Sequence, residues 1–123
     1  MGAAQIAEIR PAIAELESLA PDERANVVAR FGVPDEDALW VEVILGTVNL
    51  AYPFGDEPSS RLKSAGVEAL GSMVLVQWEQ NVYATFEYRH ESDLQTARFI
   101  DQVFEKLLGA PAGYAVNVVV ERL

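Results

Sequence analysis

The chain has 123 residues, 50% of them apolar and 23% charged, with no cysteine, one histidine and a net charge of −10. That length suits a single domain, residues 1–123, which buries roughly two-thirds of its unfolded surface. The lack of cysteine excludes disulfides, thiolate catalysis and sulfur-ligated zinc, and the negative charge opposes binding to phosphate backbones and anionic membranes.

The acidity is not held in a tail. Residues 1–37 carry eight acidic and three basic side chains, and the remainder eleven and six, so each part has a charge of −5. A field of that sign favours encounter with a basic protein and also keeps a chain soluble. The N-terminal stretch has no basic run and carries Glu8 among its apolar residues, unlike a secretory leader. No apolar run approaches the roughly 20 residues that span a bilayer. A cytoplasmic protein, with neither nucleic acid nor membrane as partner, is expected.

Along the chain, Ile6, Ile9, Ile13 and Leu16 recur at helical spacing, with Pro11 marking a kink or a start. Pro21 followed by Asp22 and Glu23 reads as a second helix start, with Val27, Val28 and Phe31 as its apolar face and Gly32 and Pro34 as its stop. These two pieces predict an N-terminal helical hairpin over 3–31. Residues 38–54 suit either a strand or a buried helix after the acidic Asp35-Glu36-Asp37. The β-branched density around Trp40–Ile44 favours a strand, and Gly46 a turn into a second short one. Residues 53–60 compose a loop, and Leu62, Ala65 and Ala69 permit a short helix ending at Gly71.

The clearest pattern runs over 73–89. Val74, Val76 and Trp78 alternate with Leu75, Gln77 and Glu79. Beyond a turn at Gln80-Asn81, Val82, Ala84, Phe86 and Tyr88 alternate with Tyr83, Thr85, Glu87 and Arg89, which predicts a hairpin with one buried and one polar face. Ser92 with Gln95 three residues on makes a capping-box pattern, and Leu94, Ala97, Ile100, Val103, Phe104, Leu107 and Leu108 form a helical stripe stopped by Gly109. After a linker, 114–120 predicts a final interior strand, with parallel pairing as the common outcome of a helical crossover. The expected fold is α+β: a helical hairpin, a mixed, mostly antiparallel sheet of four to five strands, and a C-terminal helix–strand crossover, with the helices on one face.

Catalytic patterns are sparse. His90 is the sole histidine, so a Ser-His-Asp arrangement would have to use it, yet Ser92 serves better as a helix cap and no GxSxG occurs. An exposed strand-to-helix turn is the expected place for His90. Carboxylates alone remain as metal ligands, and Asp35-Glu36-Asp37 lacks calcium-loop spacing. The segment from Gly66 to Ser72 has the glycine spacing of a phosphate loop but neither its lysine nor its preceding strand. Glu42, Glu79 and Glu87 could share a sheet face and divide acid and base roles, although glutamates alternating with apolar residues equally describe a solvated face. Arg89, Arg98, Lys106 and Arg122, with Tyr83 and Tyr88, are the nearest approach to a nucleic-acid surface, against nineteen acidic residues. No catalytic residue, metal or cofactor is expected.

What remains is the polar hairpin face formed by Gln77, Glu79, Tyr83, Thr85, Glu87 and Arg89, whose mixed aromatic and charged composition is that of an interface. The leading expectation is a non-enzymatic module that binds a basic protein through this face. The order of elements is loosely similar to that of secretion chaperones, and small acidic cysteine-free proteins also serve bacteria as immunity proteins and inhibitors; no motif carries that likeness. Two alternatives stand beside it: a small-molecule binder or enzyme with a carboxylate-lined pocket between sheet and helices, and a structural subunit that forms homo-oligomers.

Overall fold

The computed structural model describes residues 2–123. Helix α1, Ala3–Glu17, buries Ile9, Ala12, Ile13 and Leu16 along one stripe and carries Pro11 inside it on the exposed side. A short 3₁₀ turn, Arg24–Asn26, leads into β1, Val27–Val33, followed by β2, Glu36–Ile44, and β3, Thr47–Ala51. Helix α2, Pro58–Ala65, precedes the hairpin of β4, Gly71–Glu79, and β5, Tyr83–Arg89. Helix α3, Asp93–Gln102, runs on through a π-helical stretch, Val103–Leu107, and β6, Asn117–Arg122, closes the chain.

The six strands form one sheet in the order β4-β5-β3-β2-β1-β6, and every adjacent pair is antiparallel. Two rows of side chains cross it on the helix side. Phe31, Val41, Leu50 and Ala84 make one, and Ala29, Val43, Val48 and Phe86 the other. All are at most 2% exposed and pack with Ile9, Ile13, Leu16, Ala97, Ile100, Val103 and Phe104 in one core. The helices therefore lie on a single face, as the sequence implies.

The expected helical hairpin is not formed. Val27, Val28 and Phe31 fit a helical face, but they lie in β1, which pairs with β6 from Val27 to Gly32 and with β2 from Ala29 onward. Two neighbouring strands outweigh a short local periodicity, and the β-branched pair is at home there. The sheet has six strands rather than four to five, and it is antiparallel rather than mixed. The last strand begins at Asn117 and sits at the edge, not the interior. It points the same way as β5, from which α3 leads to it, yet its neighbour is the antiparallel β1.

Within residues 38–54 the chain is strand rather than helix: β2 and β3 form a hairpin, turning at Leu45-Gly46 with Gly46 at φ 95°, a conformation that glycine adopts without strain. Helix α2 starts at Pro58, capped by the Glu57 carboxylate on the amides of Ser59 and Ser60. It stops at Gly66 rather than Gly71. In β4 the register shifts twice against β5, between Gly71 and Val74 and between Leu75 and Gln77. Each shift moves side chains to the other face. Leu75 and Trp78 thus meet the core, while Val74 and Val76, expected inside, are 58% and 48% exposed. Gly71 allows this close approach, since a Cβ there would lie 2.9 Å from the Arg89 carbonyl oxygen. Helix α3 begins as expected, with Ser92 Oγ accepting from the Gln95 amide at 3.1 Å.

Leu50 sits in the middle strand of this core and is fully buried. Leu50→Ala is expected to cost about 2–5 kcal/mol, read as a lowered urea midpoint at unchanged slope.

Candidate functional site

The alternate residues of the strands point away from the helices, and no helix among the described residues covers them. Across the middle of this open face the register aligns Val119, Arg30, Glu42, Asn49, Thr85 and Gln77. Polar groups here are linked in a chain. Arg30 Nε donates to Glu42 at 2.8 Å and its guanidinium also pairs with Glu121. Asn49 Nδ2 donates to Glu42 at 3.4 Å and accepts from Thr85 Oγ1 at 2.9 Å. With Glu121, the linked chain spans five strands, and its one arginine offsets one of its two carboxylates.

Beside it, Trp40, Ala51, Tyr83 and Glu79 form a second row on β2, β3, β5 and β4. Ala51 is only 3% exposed, although no helix lies above it; its position between the half-buried Trp40 and Tyr83 accounts for that shielding. On the other side of the polar chain lie Ile44, Thr47, Glu87 and Val74. The hairpin residues singled out from the sequence, Gln77, Glu79, Tyr83, Thr85, Glu87 and Arg89, thus share one uncovered face. Arg89 stands at its corner and donates to Glu91 at 2.8 Å. The sequence reading missed Trp40, Arg30 and Asn49, because their neighbours are set by strand pairing between distant segments. The alternation of Trp40 and Glu42 with buried Val41 and Val43 was the available clue.

Glu42, Glu79 and Glu87 do share this face, but in different rows, and Glu42 is already committed to Arg30 and Asn49. His90 lies at the β5–α3 turn, as expected, but is not exposed. Its side chain is 16% accessible, with Nε2 2.6 Å from Glu17 and Nδ1 3.5 Å from Thr96 Oγ1. It fastens the end of α1 to the start of α3, away from the three glutamates. No group of three or more metal-ligating side chains occurs among the described residues. Of the basic residues, Arg98 and Lys106 border one hollow of about 290 Å³ together with Asp101 and Glu105, whereas Arg89 and Arg122 are on β5 and β6 and pair with Glu91 and Glu23.

Two polar clusters support the helix layer, one buried around Tyr114 and one at the surface beside the buried Tyr52. Tyr114 donates to Asp101 at 2.9 Å and its carbonyl accepts from Gln5 at 2.7 Å; burial, then the Asp101 carboxylate, raise its hydroxyl pKa. Burial and the same Asp101 also raise the Glu105 carboxyl. Tyr52 donates to the Asp56 carboxylate at 3.0 Å, and Arg61 Nε donates to the same oxygen at 2.7 Å with its guanidinium 4.0 Å from the Phe54 ring centre. Burial pushes Tyr52 up to about 12, and the Arg61 hydrogen bond holds Asp56 below the usual carboxylate range. Both shifts lead away from neutrality, so this cluster holds fixed charge rather than exchanging protons.

Comparison with known protein families, with curated proteins and with solved structures finds no match. No helix among the described residues is long and apolar enough to cross a membrane.

Arg30→Met is expected to cost about 1 kcal/mol, and distinctly less in a Glu42→Gln background. Equal costs in both backgrounds, in a double-mutant cycle by urea unfolding, would deny the coupling. For Asp56, a folded pKa below the unfolded one means stabilisation that is complete above the unfolded value and lost as pH falls through the folded one. Asp56→Asn should therefore lower the urea midpoint at neutral pH and match the wild type in acid below both values.

Proposed function

We propose that this chain is a non-enzymatic binding module that engages a basic protein through the open sheet face, in the manner of an immunity protein, an inhibitor or a chaperone. The observation that carries this reading is the uncovered row of Trp40, Ala51, Tyr83 and Glu79. A tryptophan and a tyrosine flanking a small residue on a rigid sheet supply contact area at little entropic cost, the composition of an interface centre. Gln77, Thr85, Glu87 and Arg89 form its polar surroundings. Glu79 and Glu87 are exposed and add negative charge to the Arg30 chain, whose one arginine offsets only one of its two carboxylates. The net charge of −10 supports a basic partner by steering encounter, and the absence of cysteine supports a cytoplasmic setting.

The test compares the wild type with Trp40→Ala and with Glu79→Gln/Glu87→Gln as bait in host extract, at low and raised salt. A basic protein retained by the wild type, released by salt and lost from both variants is the expected result. Its retention by both folded variants would move the binding surface elsewhere. A co-purifying metabolite with no protein partner would overturn the reading.

A further inference from the structure

The two edges of the sheet are built differently. At the β4 edge the register breaks twice and Ser72 takes a left-handed φ of 51°, irregularities that discourage an added strand. The β6 edge has none of these. Its six residues pair with β1 in unbroken register from Val27 opposite Arg122 to Gly32 opposite Asn117. It contains no proline or lysine, its centre is three valines, and Val119 is 51% exposed. No described residue pairs with its outer side.

Alongside this edge runs a groove of about 390 Å³ between β6 and α1, with Val118, Val120, Pro11 and Ala12 in its lining and Glu8 and Glu15 from the helix. The two carboxylates are seven residues apart, about 10.5 Å along the helix. Alternate residues of an added strand fall on one face about 6.7 Å apart. A strand laid on β6 would thus set one side chain over the valines and place the residues two before and two after it within reach of Glu8 and Glu15.

We propose that the β6 edge accepts an extended segment of a partner protein as a seventh strand, and that the groove selects a segment with a small apolar residue flanked at ±2 by lysine or arginine. Main-chain hydrogen bonds supply the attachment, and the valine floor and acidic rim supply the choice. A second copy of this chain is the poorer occupant. Joining two β6 edges about a two-fold axis would bring two α1 helices side by side and set Glu8 and Glu15 of one against those of the other. This surface is distinct from the open face, and the inference does not rest on that reading.

The probe is a labelled synthetic peptide, Thr-Lys-Thr-Val-Thr-Lys-Thr, titrated into the full chain by fluorescence anisotropy. Saturable binding is expected, reduced about fivefold to tenfold by Glu8→Gln/Glu15→Gln or by glutamate in place of the peptide lysines. Both helix positions are exposed, so the double variant keeps its fold. N-methylation of alternate peptide amides should abolish binding in one phase and spare it in the other, because only one set faces the strand. No saturable binding, equal affinity for the lysine and glutamate peptides, or indifference to both methylation phases each overturns the proposal. So does a doubled mass in solution that Val119→Lys restores to the monomer, since the edge would then belong to a second copy. Trp40→Ala should leave peptide binding unchanged, which separates this site from the open face.

Discussion

Everything in this fold depends on a six-stranded antiparallel sheet that buries only one of its faces. The helix side carries an unbroken apolar field from Phe31 and Ala29 through Val41, Val43, Val48 and Leu50 to Ala84 and Phe86. Apolar burial at this scale is the main term that offsets the chain's ordering entropy. It dictates where the helices lie, and therefore which face stays open. Helix α1 reaches β1 and β6, α3 packs on α1, and α2 reaches β4, so three short helices serve the whole sheet from one side.

The open face and the two edges are the consequence. A sheet covered once must satisfy its other face by itself, and the chain Glu121–Arg30–Glu42–Asn49–Thr85 does so with paired charge and side-chain hydrogen bonds. That arrangement leaves Trp40 and Tyr83 on one side and Glu87 on the other as the groups with contact capacity. The edges differ for a related reason. β4 is entered from α2 through a tight approach at Gly71 and its register shifts, whereas β6 follows a segment anchored at Tyr114 and pairs with β1 in unbroken register.

The single histidine shows how composition and placement part. The sequence puts His90 at a turn between strand and helix, which is where it is. Its burial follows from Glu17, seventy-three positions earlier, arriving at the same point when α1 docks on α3. No local pattern carries that meeting. Tyr114 is a similar case. It falls in the stretch expected as a strand, but its hydroxyl on Asp101 and its carbonyl under Gln5 hold it to the helix layer, and pairing starts only at Asn117.

Short-range chemistry was legible because its cause is local. The alternation over β5, the Ser92 cap, the turn at Gly46 and the stop at Gly109 each depend on residues within a few positions of one another. So did the polar composition of Gln77, Glu79, Tyr83, Thr85, Glu87 and Arg89, which the register gathers on one face. Other features depend on partners far along the chain. Val27, Val28 and Phe31 satisfy a helical period as well as a strand, and only β2 and β6 on either side decide between them. A one-residue register shift in β4 between Leu75 and Gln77 sets Leu75 and Trp78 on the same side and leaves Val74 and Val76 exposed, and the bulge that causes it is written in close contacts rather than in periodicity. The lone edge of β6 has the same origin, since a valine run reads as interior until the strand order leaves it with one neighbour. Local residue chemistry thus determined most elements and the polar face, and long-range strand pairing decided the order, the edges and the company each side chain keeps.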